Sequence, residues 1–344
     1  MAHASEELLG DLLKQVSRSF YLTLRVLPAK IRLPIGLAYL LARTTDTVAD
    51  TELVALEQRL EALRQLRERI QGRSETPLDF GDLARKQSAR AEGVLLEKCE
   101  SSLALLRGLP PADGQLVREV LDIITSGQEL DLRRFAGASA KSLVALRTDA
   151  ELDDYTYRVA GCVGEFWTRM CRAHLFPRAP VDEAFLLANG VRFGKGLQLV
   201  NILRDVAGDL RQGRCYLPAD QLAAAGLKPE DLLKPANEPR LRPVYDAYLD
   251  RAEAHLRAGW AYTNALPRRC VRVRLGCSWP ILIGWETLKL LRTGNALDPE
   301  RRIKVSRREV RRLRLRSVLL YPWARAWEKL VPPGKAVAST ALLP

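Results

Sequence analysis

Apolar residues return every three or four positions along nearly the whole chain, and no other feature restricts the fold as strongly. Leu53, Leu56, Leu60, Leu63 and Leu66 form one such stripe, and Leu116, Val120, Ile123 and Ile124 another. This spacing places side chains on one face of a helix. No set of segments shows the alternation expected of half-buried strands. Breakers separate the stripes at Pro28, Pro34, 72–77 (GRSETP), 108–114 (GLPPADG), 176–180 (FPRAP), 227–240, 266–267 and 293–299 (TGNALDP). The pattern predicts an all-α fold of ten or more helices. Without internal repeats or a low-complexity linker, residues 1–344 are expected to form a single domain, with a basic segment around 300–330.

A chain of 344 residues is long enough to enclose both a core and a cavity. Its 47% hydrophobic and 28% charged residues exclude a disordered or fibrous class. The net charge of +13 attracts polyanions: nucleic acid, anionic lipid or small phosphorylated molecules. Six cysteines lie without CxxC pairs, and His3, His174 and His255 complete no zinc pattern, so buried reduced thiols are expected. The N-terminus lacks the order of a signal peptide and no apolar run is long enough to span a bilayer, which makes a cytoplasmic location the expectation. The nearest approach to a span, 275–285 (LGCSWPILIGW), is short and carries a proline. It reads as a core helix, with peripheral membrane contact through Trp279 and Trp285 as the further expectation. Oligomeric state is not legible.

Two helices carry acids where apolar residues dominate. Asp46 and Asp50 stand four apart in "YLLARTTDTVAD", residues 39–50, and Asn201, Asp205 and Asp209 stand at successive four-residue steps in "QLVNILRDVAGDLRQGRCYLP", residues 198–218. Residues four apart share a helical face, so each stripe stacks like charges. Pairing with Arg43 would account for one stripe alone. Two stripes facing a common cavity would offer hard oxygen ligands to Mg²⁺, leaving positions for water and phosphate. A diphosphate bridged there becomes a good leaving group, and the apolar remainder of each helix would shield a carbocation from water.

These two segments, with "VSRSF" at 16–20 and "YTYRVAGCVG" at 155–164, resemble the squalene and phytoene synthases, which join two prenyl diphosphates head to head. The resemblance covers residues 17–218 and implies the all-α isoprenoid synthase fold, a bundle around a central cavity. It assigns Asp46, Asp50, Asn201, Asp205 and Asp209 to Mg²⁺-diphosphate, and Arg18, Arg43 and Arg204 to the diphosphates. Ser17, Ser19, Phe20, Tyr39 and Gln198 would shape the cavity. Tyr155 matches the tyrosine that takes or relays a proton when the cyclopropane closes. The glycines of "AGCVG" read as close helix packing. Ala49 and Gly208 stand where some squalene synthases carry a glutamate.

Fate of the final cation separates the family's products. Residues 274–292 (RLGCSWPILIGWETLKLLR) followed by 301–310 (RRIKVSRREV) resemble the squalene-synthase ending, where a basic segment around Lys304 would meet NADPH. Residues 301–316 hold nine basic side chains against one acid, Glu309, and a solvated or lipid-facing basic helix is the alternative reading of that stretch. The favoured reading is a squalene synthase using two farnesyl diphosphates, Mg²⁺ and NADPH. Phytoene or dehydrosqualene synthase, and presqualene diphosphate or hydroxysqualene synthase, are the alternatives. A non-catalytic basic binding protein would explain the charge but not two acidic stripes in apolar helices, and no nucleic-acid role is expected.

Overall fold

The computed structural model describes residues 8–17, 21–51, 53–300 and 303–332. Nine principal helices carry the architecture: α1 (Ala29–Ala49), α2 (Leu56–Gln71), α3 (Pro111–Arg134), α4 (Asp149–Thr156), α5 (Cys162–Leu175), α6 (Glu183–Arg211), α7 (Glu238–Ala265), α8 (Val271–Thr293) and α9 (Arg307–Leu320). Shorter helices, Tyr21–Val26 and Arg90–Glu97 among them, fill the gaps. Thr148, Asp182 and Ser306 cap α4, α6 and α9 by accepting the backbone N–H of the third residue on. Gly72, with φ of 74°, ends α2 in the left-handed conformation.

Pro34 departs from its reading as a breaker, because it lies inside α1. Burial of Ile31, Ile35 and Leu37 around it outweighs the one hydrogen bond its ring removes. Two strands also appear that the sequence does not announce. β1 (Val144–Ala145) pairs in parallel with β2 (Arg214–Cys215), tied by Val144 N–H to Gly213 O at 2.8 Å and Leu146 N–H to Cys215 O at 3.0 Å. Two residues are too few for an alternating pattern to register.

Buried apolar residues form two clusters, one drawn mainly from α1, α2, α3 and α5, the other from α6, α7 and α8. Where the halves meet, α5 and α6 cross with their backbones in contact. A Cβ on Gly164 would lie 2.0 Å from the Gly190 carbonyl oxygen, and one on Gly194 2.1 Å from that of Ala160. All six cysteines are free and buried. Residues 275–285 lie in α8 as the expected core helix, and Trp279 and Trp285 are buried rather than presented to a membrane, the first donating to Ser317 Oγ at 3.1 Å and the second lying under the Arg257 guanidinium. Both indoles face inward because α7 and α9 pack over α8. Among the described residues no helix is long and apolar enough to cross a membrane.

Candidate active site

A cavity of about 1120 Å³ opens between the two halves, lined from Thr23 to Pro280. It exceeds the roughly 300–1,000 Å³ of ordinary ligand pockets. Its walls are divided along the chain in the same way on two helices. In α1, Tyr39 and Ala42 precede Arg43 and Asp46, and Asp50 follows at the C-cap; in α6, Phe193, Gly194 and Leu197 precede Gln198, Asn201, Asp205 and Asp209. Acids therefore occupy the C-terminal turns of both helices and apolar side chains the earlier ones. Val163 and Trp167 from α5, Tyr262 from α7 and Pro280 from α8 extend the apolar wall.

Burial raises the proton affinity of one acid on each of the two acidic turns. Asp209 is pushed up to about 7, first by burial and then by Asp205. Asp50 is likewise raised to about 7, first by removal from bulk water and then by Asp46. Asp131 of α3, on the same wall, rises to about 6, mainly through burial, although the Tyr216 hydroxyl donates to its Oδ2 at 2.9 Å. Arg43 bridges Asp46 and Glu92, and Arg204 holds its neighbour Asp205 with Nε 3.0 Å from Oδ1. The guanidinium of Arg43 thus neutralises Asp46 while remaining on the cavity wall.

Tyr155 lies in the last turn of α4, just before a π-helical turn, Tyr157–Gly161, a distortion often found at functional positions. Its ring stacks on Tyr216 at 4.9 Å, and burial, then Asp131, hold its phenol well above the usual range. Parallel pairing of β1 with β2 fixes the chain on both sides of this contact, since Arg214 and Tyr216 flank Cys215 and both line the cavity.

Of the residues singled out from sequence, the structure brings Tyr39, Arg43, Asp46, Asp50, Tyr155, Gln198, Asn201, Asp205 and Asp209 to one cavity. Ser17 is not on its wall: it is buried and its hydroxyl is used by the Leu13 carbonyl. Arg204 stands behind Asp205 rather than on the wall, and Lys304 is exposed away from it. Arg18, Ser19 and Phe20 lie outside the described residues. Sequence reasoning missed Glu92, Gln128, Asp131, Arg214 and Tyr216, all on the wall. Arg214 and Tyr216 sat within a quoted motif, and Gln128 with Asp131 makes a polar pair on one face of α3, one turn apart.

Among the described residues no three acids, histidines or cysteines form a ready-made metal cage. The donors instead come as carboxylate pairs, and in each pair one member, Asp50 or Asp209, has a raised proton affinity, first through burial and then through the neighbouring acid. Such a set suits a hard divalent cation that completes its shell with water and phosphate oxygens. Ala49 lines the cavity, and a Cβ on Gly208 would meet nothing within 4 Å, so both positions are open where an additional acid could stand.

A family model described as squalene/phytoene synthase matches residues 13–309. The bifunctional lycopene cyclase/phytoene synthase of Gibberella fujikuroi is 30% identical over 251 residues, which cover 70% of this chain. The match covers about 40% of the length of that relative. The presqualene diphosphate synthase of Rhodopseudomonas palustris is 29% identical, over 78% of this chain and 83% of its own length. The 15-cis-phytoene synthase of Synechocystis sp. is 29% identical over 83% and 73%. Among solved structures, TcSQS in complex with the ligand E5700 superposes with a TM-score of 0.74 at 21% identity, covering 93% of this chain and 92% of that one. A dehydrosqualene synthase bound to a ligand superposes at 0.66 and 21%, covering 94% and 96%. At these identities the structural likeness establishes the fold.

Proposed function

The chain belongs to the squalene/phytoene synthase family of prenyltransferases, and we propose that it condenses two farnesyl diphosphates through presqualene diphosphate to squalene, using Mg²⁺ and NADPH. One observation carries the first half of this reading: acid pairs at the C-terminal turns of α1 and α6 line a cavity whose other walls are apolar. Polar ends of two substrates belong with the acids, and their chains along Phe193, Leu197, Trp167 and Tyr262. A single cavity lined from residue 23 to residue 280 also favours one domain, since neither half would hold it alone.

Asp46, Asp50, Asn201, Asp205 and Asp209 would hold Mg²⁺, which supplies neutralisation of charge on a departing diphosphate. Arg43 and Arg214 place guanidinium groups on the same wall, where planar donors match phosphate oxygens. The apolar wall excludes water from the C1 cation of the first substrate, which alkylates the C2–C3 double bond of the second. A proton then leaves the former C1 as its C–H electron pair closes the cyclopropane. Tyr155 is a neutral phenol in that environment and can accept the proton only while passing its own onward. The route runs through its side-chain hydrogen bond to Tyr216, whose hydroxyl donates to Asp131, and ends on a carboxylate that is ionised above about pH 6.

The NADPH half rests on the sequence resemblance. Lys304 is exposed and off the cavity wall, and no residue there is assigned to hydride delivery. Release of presqualene diphosphate is therefore the second reading, favoured by the relative of that name that this chain covers over most of its length. Purified protein incubated with farnesyl diphosphate and Mg²⁺, with and without NADPH, tests both by lipid extraction and mass analysis. Squalene only with NADPH supports the first reading, and presqualene diphosphate in both tubes supports the second. Unchanged farnesyl and geranylgeranyl diphosphates would overturn the condensation itself.

A further inference from the structure

Helix α9 covers α8 with one face, and among the described residues nothing is packed on the large apolar side chains of the other. Leu313 and Ser317 point inward, where Ser317 receives the Trp279 indole N–H, and Arg314 lies over the Trp279 ring at 4.8 Å. On the opposite side Leu315, Val318 and Leu319 are 58%, 48% and 66% exposed, and Trp323 just beyond the helix is 64% exposed. Nine large apolar side chains are strongly exposed among the described residues, and these four belong to one nine-residue stretch, 315–323. Scattered exposed leucines need no explanation, but a cluster ending in an open tryptophan does.

Charge identifies what covers it. Arg308, Arg311 and Arg312 stand seven, four and three residues before Leu315, on the same helical face, and all three are exposed. The outward face is thus arginine in its first turns and apolar in its last. Arg268, exposed in the α7–α8 turn, is fastened alongside: its guanidinium donates to the Pro322 carbonyl at 3.1 Å, and the Tyr321 hydroxyl donates to the Arg268 carbonyl at 2.6 Å. A helix with basic and apolar groups on one exposed side, closed by a tryptophan, matches the chemistry of an anionic lipid surface: leucines enter the acyl boundary and guanidinium groups stay at the phosphates. A second copy of this chain fits poorly, because a two-fold contact through this face would gather two sets of arginines with Glu309 as the one nearby acid of α9.

We propose that the outer face of α9, from Arg308 to Trp323, docks the protein on anionic membrane. The site is separate from the cavity and does not depend on the reaction assigned there. One helix divides the two: Cys277 and Pro280 of α8 line the cavity, while Trp279 between them turns to α9. A water-insoluble hydrocarbon made in the cavity would then arise one helix away from lipid.

Flotation with vesicles of phosphatidylcholine alone, and of phosphatidylcholine with equimolar phosphatidylglycerol, tests the proposal on the full chain. Wild type should float with the anionic vesicles and remain behind with the neutral ones. Leu315→Ser/Leu319→Ser and, separately, Arg311→Glu/Arg312→Glu should each weaken binding by roughly tenfold or more. Thermal melts and diphosphate release from farnesyl diphosphate in detergent should match wild type, since all four side chains are exposed and far in sequence from the cavity acids. Failure of wild type to float with anionic vesicles overturns the proposal. So does flotation of the leucine variant as efficient as wild type, which would reduce the surface to a general polyanion patch. A wild-type dimer in sedimentation velocity that becomes a monomer in the leucine variant would assign the face to a second copy instead.

Discussion

The Tyr216 hydroxyl donates to Asp131 Oδ2 over 2.9 Å, and the same side chain stacks on and hydrogen-bonds with Tyr155, so a phenol at the cavity wall is linked to a buried carboxylate. Asp131 is raised to about 6, chiefly by burial, and is therefore the ionised end of the chain at neutral pH. With saturating Mg²⁺, kcat/KM for formation of the cyclopropyl intermediate should fall as pH drops through about 6. Asp131→Asn keeps the size of the side chain and removes the acceptor. It should lower the rate by about 10²-fold and abolish that acidic limb, in line with the usual contribution of general acid–base groups. A variant with an unchanged profile would leave Asp131 only a structural partner of Tyr216.

Raised carboxylates also make stability depend on pH. Asp50 and Asp209 rise to about 7 and Asp131 to about 6, from an ordinary value of 3.8. The folded state therefore binds protons more tightly than the unfolded chain. The resulting stabilisation is complete below the ordinary carboxylate value and is lost as pH rises through 6 and 7. In chelator, the melting temperature should increase as pH is lowered from 8 to 6. Mg²⁺ at pH 8 should restore the loss, because a cation held by the ionised pairs replaces the protons. In Asp50→Asn/Asp209→Asn both the pH dependence and the response to Mg²⁺ should shrink, as read by calorimetry without substrate.

Removing one acid from either helix should stop the reaction at its first ionisation. Asp46→Ala and Asp205→Ala are expected to lower diphosphate release from farnesyl diphosphate by at least ~10²-fold, the usual scale for loss of an electrostatic contact to developing charge. Each removed carboxylate repels another on its own helix but also pairs with an arginine, Arg43 or Arg204, so the two effects offset and the unfolding temperature should stay close to wild type. Full activity in either variant would contradict the metal assignment.

The four-residue spacing of Asp46 with Asp50 and of Asp205 with Asp209 made their shared faces legible, since a helix fixes that relation locally. The repeated breakers made the helical architecture legible for the same reason. Asp131 and Tyr216 were not: they are 85 residues apart, and only the parallel pairing of two dipeptide strands and the packing of α3 bring them together. Arg43 illustrates an intermediate case. Its pairing with Asp46 follows from three-residue spacing, but its second acid, Glu92, comes from a helix 49 residues on. Trp279 and Trp285 were legible as members of a core helix, but an apolar stretch states its hydrophobicity without stating which neighbours cover it, so burial could not be told from membrane contact.

Two glycines give opposite expectations for the same substitution. Gly164 lies where α5 crosses α6, and its Cβ would stand 2.0 Å from the Gly190 carbonyl oxygen and 2.8 Å from the Val191 nitrogen. Backbone cannot swing aside as a side chain can, so Gly164→Ala must push two cavity-forming helices apart. It should cost about 1–3 kcal/mol, as overpacking does, and reduce turnover by displacing Phe193 and Leu197. Gly208 lies within α6 between Asp205 and Asp209, and a Cβ there meets nothing within 4 Å. Gly208→Ala should raise stability by about 0.5–1 kcal/mol through helix propensity alone and leave the rate near wild type. Chemical denaturation paired with diphosphate release measures both variants. If Gly208→Ala stabilises the fold but loses activity, the turn carrying Asp205 and Asp209 must flex during the reaction, and a fixed arrangement of the two acids is the wrong description of the site.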